Sequence, residues 1–260
     1  MVKSMYKQVI DSKYIGIPLK IFEDQYVDGA LRGSIYFGPI QQYADIERTT
    51  GDQVIGDQNE GKIINNIAPT KVWIRSKGEN NPKQYTLNKK INIKLSDGLD
   101  DDQLRRIGIS CFTLLSLDDF QEYRKVGDRT YFELKTKVVQ QLKQLVKDKE
   151  KQSKSSCKIV MFAPNKFFKA LKDQDLSYDL VHYYDQNDPL VFRDVQKTKL
   201  PRYFYKSKNY EYQRELRIVS DLTTKGKGEV ITIRGLSGVT VPQHTLSELV
   251  LITKGFEKLD

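Results

Sequence analysis

Residues Ile107-Gly-Ile-Ser-Cys-Phe-Thr-Leu-Leu115 constrain the fold more than any other stretch. The run is nearly all apolar, so it predicts a strand covered on both faces at the centre of a sheet. Cys157-Lys-Ile-Val-Met-Phe-Ala163 predicts a second buried strand. An earlier unit reads as strand, short helix, glycine stop and strand. Tyr14 to Phe22 is the first strand, at an edge or bent because of Pro18. Tyr26, Val27, Ala30 and Leu31 then fall at helical spacing, Gly33 ends the helix, and Ser34 to Gly38 form the second strand.

Further strands are predicted at 71–75, 84–87 and 90–95, with a turn at 77–83 between the first two. Phe132 to Lys149 carries the longest helical pattern, with Leu134, Val138, Val139, Leu142, Leu145 and Val146 in one stripe and Lys and Gln opposite. Asp118 and Asp119 are expected to cap a helix from Phe120 to Lys125. Tyr178 to Tyr184 reads as one strand containing His182. Ile218-Val219 and Val230 to Ile233 are expected to pair as a hairpin across Lys225-Gly-Lys-Gly228. Residues 1–10 read as a loosely packed start. With no internal repeat or Pro/Ser-rich linker, the expectation is one α+β domain over 1–260. Its sheet is mixed and mostly antiparallel, with flanking helices that include a Lys-rich segment at about 132–154.

Apolar residues make up 38% of the 260, ample for a core, and no run of 18 apolar residues exists. No signal-peptide pattern follows Met1, so a soluble, cytoplasmic protein without membrane partners is expected. Cys111 and Cys157 lie far apart beside apolar residues and read as buried thiols. His182 and His244 are the only histidines and form no ligand-spaced cluster, so no metal is expected. The net charge of +9 permits attraction to nucleic acid or another polyanion but is a weak indicator of it, since charge carried for solubility alone is the more common case. A metal nuclease built on Asp57, Glu60, Asp118 and Glu215 ranks last, because those carboxylates lack tight spacing. The polar stretch from Glu47 to Gly61 reads as a long loop in which Asp57, Asn59 and Glu60 offer groups for a ligand or a cation, but with no calcium-loop spacing, solvated loop carboxylates are the favoured expectation.

The stretch richest in chemistry is Tyr203 to Ile218, which mixes aromatics, cations and carboxylates. In an extended strand Gln213, Glu215 and Arg217 share one face, while Leu216 and Ile218 anchor the other. An amide, a carboxylate and a guanidinium in one row suit a polar ligand. The same row equally describes a solvated face with a Glu–Arg pair.

Several short motifs, in order, resemble the domain of unknown function 2971 family of bacteria, phages and mobile elements. They are Ile35-Tyr-Phe-Gly38, Gly56-Asp-Gln-Asn-Glu-Gly61, Ile109-Ser-Cys-Phe-Thr113, Tyr205-Lys206 with Tyr212-Gln-x-Glu-x-Arg-Ile218, and Ile233-Arg-Gly-Leu-Ser-Gly-Val239. The chain departs from that family at Phe120-Gln-Glu-Tyr123, which stands where a Met-Trp-x-x-Tyr helix is usual. Gln213-x-Glu215 and the early strand–helix–strand unit also resemble those of ADP-ribosyltransferases. There such a unit cradles the nicotinamide end of NAD. That resemblance implies NAD as substrate, with Glu215 catalytic and Gln213 orienting the acceptor. Arg217 or Lys206 would neutralise the pyrophosphate, and Lys20, Tyr36 and Glu60 would be neighbours. The early strand lacks the usual His or Arg, Lys20 being its nearest cation, and no Ser-Thr-Ser strand motif is present. The implied role is an effector in phage–host conflict. The alternative is a non-catalytic phage or mobile-element protein that engages nucleic acid, a nucleotide or a host protein through basic surfaces.

Overall fold

The computed structural model describes residues 16–51, 56–67, 71–74, 83–86 and 93–254. In chain order the strands are β1 (Ile17–Glu23), β2 (Ser34–Pro39), β3 (Lys62–Ile67), β4 (Lys71–Ile74), β5 (Lys83–Thr86), β6 (Ile93–Gly98), β7 (Ile107–Leu115), β8 (Phe120–Val126) and β9 (Arg129–Leu134). They continue with β10 (Cys157–Phe162), β11 (Ser177–Leu180), β12 (His182–Tyr184), β13 (Tyr205–Ser207), β14 (Glu215–Asp221), β15 (Glu229–Thr232), β16 (Gly238–Val241) and β17 (Val250–Lys254). The α-helices are α1 (Asp24–Leu31), α2 (Ile40–Thr50), α3 (Asp101–Arg106), α4 (Thr136–Ser153), α5 (Pro164–Asp173) and α6 (Val191–Thr198). The fold is a single mixed α+β structure with mostly antiparallel sheets, as the alternation of short strands and amphipathic helices predicts.

The main sheet runs β11-β14-β7-β1-β10-β16, with β2 joined to β7 and β15 to β2. The apolar run at 107–115 is its central strand, and seven of its nine residues are buried, which is why so little of it is polar. On one face α1 and α5 bring Val27, Ala30, Phe167 and Leu171 onto Phe112, Leu216, Ile218 and Phe162. On the other, α4 sets Val138, Val139, Leu142 and Val146 against Leu19, Leu115 and Ile159. Burial of these side chains, each of those larger than alanine stabilising by ~1.5–3 kcal/mol, fixes the layers.

The sheet is forked at its centre. Strand β1 pairs with β7 only from Ile17–Leu115 to Leu19–Thr113. Strand β2 takes over the same edge at Gly38–Ile109 and Pro39–Gly108. Neither covers β7 between these contacts. The Leu114 N–H donates to Arg214 O at 2.8 Å, which sets the alternation along β7. Even-numbered residues bond towards β14, and Cys111 turns its N–H and C=O into the fork.

Four expectations need correction. Residues 120–125 are not a helix; β8 and β9 form a hairpin across Gly127, and Asp119 caps only a single 3₁₀ turn at Leu117–Asp119. The long helix begins at Thr136, because Phe132 and Leu134 belong to β9; Leu134 packs into the same core as α4, so the stripe looks continuous. The pairing expected between Ile218-Val219 and Val230–Ile233 does not form: β15 pairs with β2, and β14 lies between β7 and β11. The strand at 178–184 is broken at Val181, where the chain leaves β14 and β12 pairs with β13 in parallel. The start at 1–10 and the turn at 77–82 lie outside the described residues.

Gly33 holds φ +85°, and a Cβ there would sit 2.5 Å from Ile233 O. Gly127, at φ +58°, has open space around it. Gly33→Ala should therefore lower the unfolding free energy by ~2–4 kcal/mol and Gly127→Ala by only ~1 kcal/mol, read from urea midpoints at unchanged slope.

Candidate functional site

A cleft of about 910 Å³ opens over the fork. Its floor is Cys111, Phe112 and Thr113 of β7; one wall carries Lys20 and Phe22 of β1, and the other Tyr36 of β2 with Gln42 and Tyr43 of α2. Lys206, Gln213 and Glu215 line it, and so do Tyr26 of α1 and Lys149 of α4. The β1–α1–β2 unit thus straddles the cleft, because its two strands abut different halves of β7.

Glu215 begins β14, and Gln213 ends the 3₁₀ segment Lys208–Gln213. Gln213 is therefore not on the strand, contrary to the expectation of one extended row. Arg214 between them adopts φ +48°, and this left-handed residue turns the chain so that Gln213 and Glu215 still meet one partner. Lys206 Nζ donates to Gln213 Oε1 at 2.8 Å and to Glu215 Oε2 at 3.1 Å. The ammonium also stands 4.6 Å from the Tyr210 ring centroid. Arg214 is pinned by Asp119, 2.6 Å from its Nε, and by Gln141 of α4, 2.9 Å from its Nη1.

Behind Glu215, and fully buried, lies Arg217. Its Nε donates to Glu215 Oε1, and its two terminal nitrogens grip both oxygens of Glu60. It also donates to Tyr203 O. The expected pyrophosphate role for Arg217 is thus taken up by internal partners, and Lys206, 5% exposed, is paired as well. Glu60 is 2% exposed and Asp57 3%, so the reading of this segment's carboxylates as solvated fails. Both fold inward because Arg217 and Lys206 supply positive charge there. Burial alone would push the Glu215 carboxyl up, but Arg217 and Lys206 outweigh it and hold it well below the usual carboxylate range. Burial works against the charge on Lys206, yet Glu215 and Glu60 keep its ammonium above the ordinary lysine value.

Of the residues singled out in sequence, the cleft gathers Lys20, Tyr36, Lys206, Gln213 and Glu215; Glu60 and Arg217 form the support beneath. Tyr36 stands at the exposed rim, its hydroxyl donating to Gln42 Oε1 at 2.9 Å. Lys20 is half-buried and donates to the Cys111 carbonyl at 2.7 Å, the group the fork leaves without a strand partner. No carboxylate lies within ion-pair distance of Lys20 among the described residues. Desolvation lowers its pKa to about 8. The Cys111 thiol is pushed up to about 12, chiefly by burial, so it stays protonated. Sequence reasoning missed Tyr43, whose hydroxyl donates to Ile109 O at 3.2 Å, and Lys149. Lys149 follows Leu145 by one helical turn, a spacing that puts it at the border of the apolar stripe. Among the described residues no cluster of His, Cys, Asp or Glu is set to hold a metal ion, and no helix is long and apolar enough to cross a membrane.

Comparison with protein-family models, curated proteins and solved structures yields no match to this chain.

Arg217→Met should cost ~3–5 kcal/mol of stability, because it strands two buried carboxylates, and adding Glu60→Gln should recover part of the loss in urea titrations. Asp57 gives a test in pH. Burial, with Glu60 next, raises its pKa to about 6 from an ordinary 3.8. Protonated Asp57 thus favours the folded chain. That contribution is complete below pH 3.8 and is lost as pH rises through about 6. Asp57→Asn should stabilise the protein by roughly 1–3 kcal/mol at pH 7.5 and flatten the difference between pH 4 and 7, measured by thermal unfolding across that range.

Proposed function

We propose that the cleft binds NAD and that the protein is an ADP-ribosyltransferase-like enzyme or NAD glycohydrolase. The observation that carries this reading is Glu215. Its carboxylate is ionised, 4% exposed, held by two cations, and on the wall of a cleft roomy enough for a nucleotide. Breaking the bond between ribose and nicotinamide develops positive charge on the ribose. A fixed carboxylate in a partly dry space stabilises that charge and accepts from the ribose hydroxyls. Gln213 stands beside it through their common donor Lys206 and orients the acceptor. Lys20 is the cation left to meet the pyrophosphate, with Lys149 at the mouth. Tyr36 and Tyr26, both exposed at the cleft, offer rings to the adenine.

A second reading is favoured by one specific fact: both Glu215 oxygens are already bonded, to Arg217 and Lys206. On that reading the cleft holds a nucleotide without turning it over, and the protein is a binding module of a phage or mobile element.

Nicotinamide release from NAD, followed by NMR, separates the two. The enzyme reading expects turnover in the wild type and a loss of ~100-fold or more in Glu215→Gln. Binding without release supports the module, and absence of both overturns the NAD proposal. Lys20→Met, checked for an unchanged melting temperature, should weaken NAD by ~10-fold or more through loss of one charge-assisted contact.

A further inference from the structure

Of the two cleft amines that stand against β7 and its fork, Lys206 is held by a carboxylate and an amide oxygen, whereas Lys20 is held by a backbone carbonyl. Its Nζ has a single bond, to a backbone carbonyl, and it stands 5.1 Å from the Phe112 ring centroid and 6.0 Å from that of Phe22. Apolar walls around an amine without a counter-ion favour its neutral, nucleophilic form, the setting in which lysines attack carbonyl groups.

We propose that Lys20 is a carbonyl-capturing nucleophile that condenses with the aldehyde of an aromatic or sugar-phosphate ligand seated in the cleft. The geometry points to Lys20 over its neighbours. Lys206 is bonded to Glu215 and Gln213, and its charge is needed there. The Cys111 thiol on the same floor is kept protonated by burial, so it does not compete as a thiolate. The depressed pKa of Lys20, about 8, agrees with the environment and leaves a sizeable neutral fraction near neutrality.

The step balances without an oxidant or reductant. Lys20 first gives its proton to solvent. The Nζ lone pair forms a bond to the carbonyl carbon, the carbonyl oxygen takes a proton, and a carbinolamine results. Nitrogen releases one proton to give the neutral carbinolamine, the hydroxyl takes a second proton from solvent and leaves as water, and loss of the remaining N–H proton leaves the imine, so the two protons gained by oxygen match the two lost by nitrogen. The inference goes beyond the NAD reading and does not require it. If that reading also holds, the open-chain aldehyde of released ADP-ribose is a natural electrophile for the same amine.

The test uses the full chain with pyridoxal 5′-phosphate, an aromatic aldehyde with a phosphate, at limiting concentration and pH 7.5. Borohydride reduces the imine to a stable secondary amine, and peptide mass mapping finds the labelled lysine. Lys20 should be labelled ~10-fold or more above the mean of the other lysines, because its neutral fraction is far larger than theirs. Lys20→Arg, which keeps the charge, should lose that peak while surface labelling is unchanged. Label spread evenly over surface lysines, or labelled elsewhere with Lys20 bare, overturns the proposal. Where Lys20→Arg does not fold, the wild-type map alone decides. Addition of NAD before the aldehyde separates the two claims: protection of Lys20 supports a shared site, and labelling without protection leaves the capture intact while counting against NAD.

Discussion

Everything at the site depends on one fully buried guanidinium. Arg217 joins Glu60, from the loop after α2, to Glu215, at the start of β14. A buried charge is tolerated only when it is paired and its donors are satisfied. Arg217 achieves this with two carboxylates and the Tyr203 carbonyl. Lys206 then balances the second negative charge, so the four groups carry no net charge together. This neutrality lets Glu215 remain ionised under a cleft wall. Without it, desolvation would protonate the acid and remove its use to any cationic transition state.

The fork in the sheet supplies the space. A continuous sheet would cover Cys111 on its β1 edge and leave no cleft. Here β1 departs after Leu19 and β2 arrives only at Gly38, so two side chains do what a strand usually does. Lys20 takes the Cys111 carbonyl and Tyr43 the Ile109 carbonyl. Satisfying a backbone carbonyl with a lysine brings an amine into the middle of the molecule. The position of the cation and the opening of the cleft are thus one structural event.

Much of the frame is legible in the residues themselves. The run at 107–115 and the run at 157–162 are legible as buried strands because polar side chains are few in them, Ser110, Thr113 and Lys158 being the exceptions. The strand–helix–glycine–strand unit is legible because its punctuation is local. Pairing is not. Val230–Ile233 shows that it is a strand, yet nothing within it says that β2, far back in the chain, is its partner. The same holds for the site. Glu215 and Arg217 are neighbours in sequence, and their row could be read. Glu60 meets Arg217 across 157 positions, so its burial, and that of Asp57 beside it, looks in sequence like two acids in a polar loop. Arg214 is a further case: no local rule marks an arginine for φ +48°, and the turn it makes is held by Asp119 and Gln141 from elsewhere.

Charge placement then orders the two halves of the cleft. The Glu215 end is electrically closed, since each of its cations already serves a carboxylate. The Lys20 end is open: a positive group, partly desolvated, with only a peptide dipole against it. A ligand gains little from bringing negative charge to the first end and much from bringing it to the second. A molecule with a cationic or cation-forming ring at one end and phosphate or a carbonyl at the other matches that asymmetry. A polyanion of uniform charge, such as duplex nucleic acid, does not match it, and the basic outer face of α4 is the surface such a partner would meet. The asymmetry also explains why the two roles assigned to the site do not conflict. On the proposed readings the carboxylate acts while charged, and Lys20 meets phosphate as an ammonium and a carbonyl as the neutral amine that its lowered pKa of about 8 brings within reach.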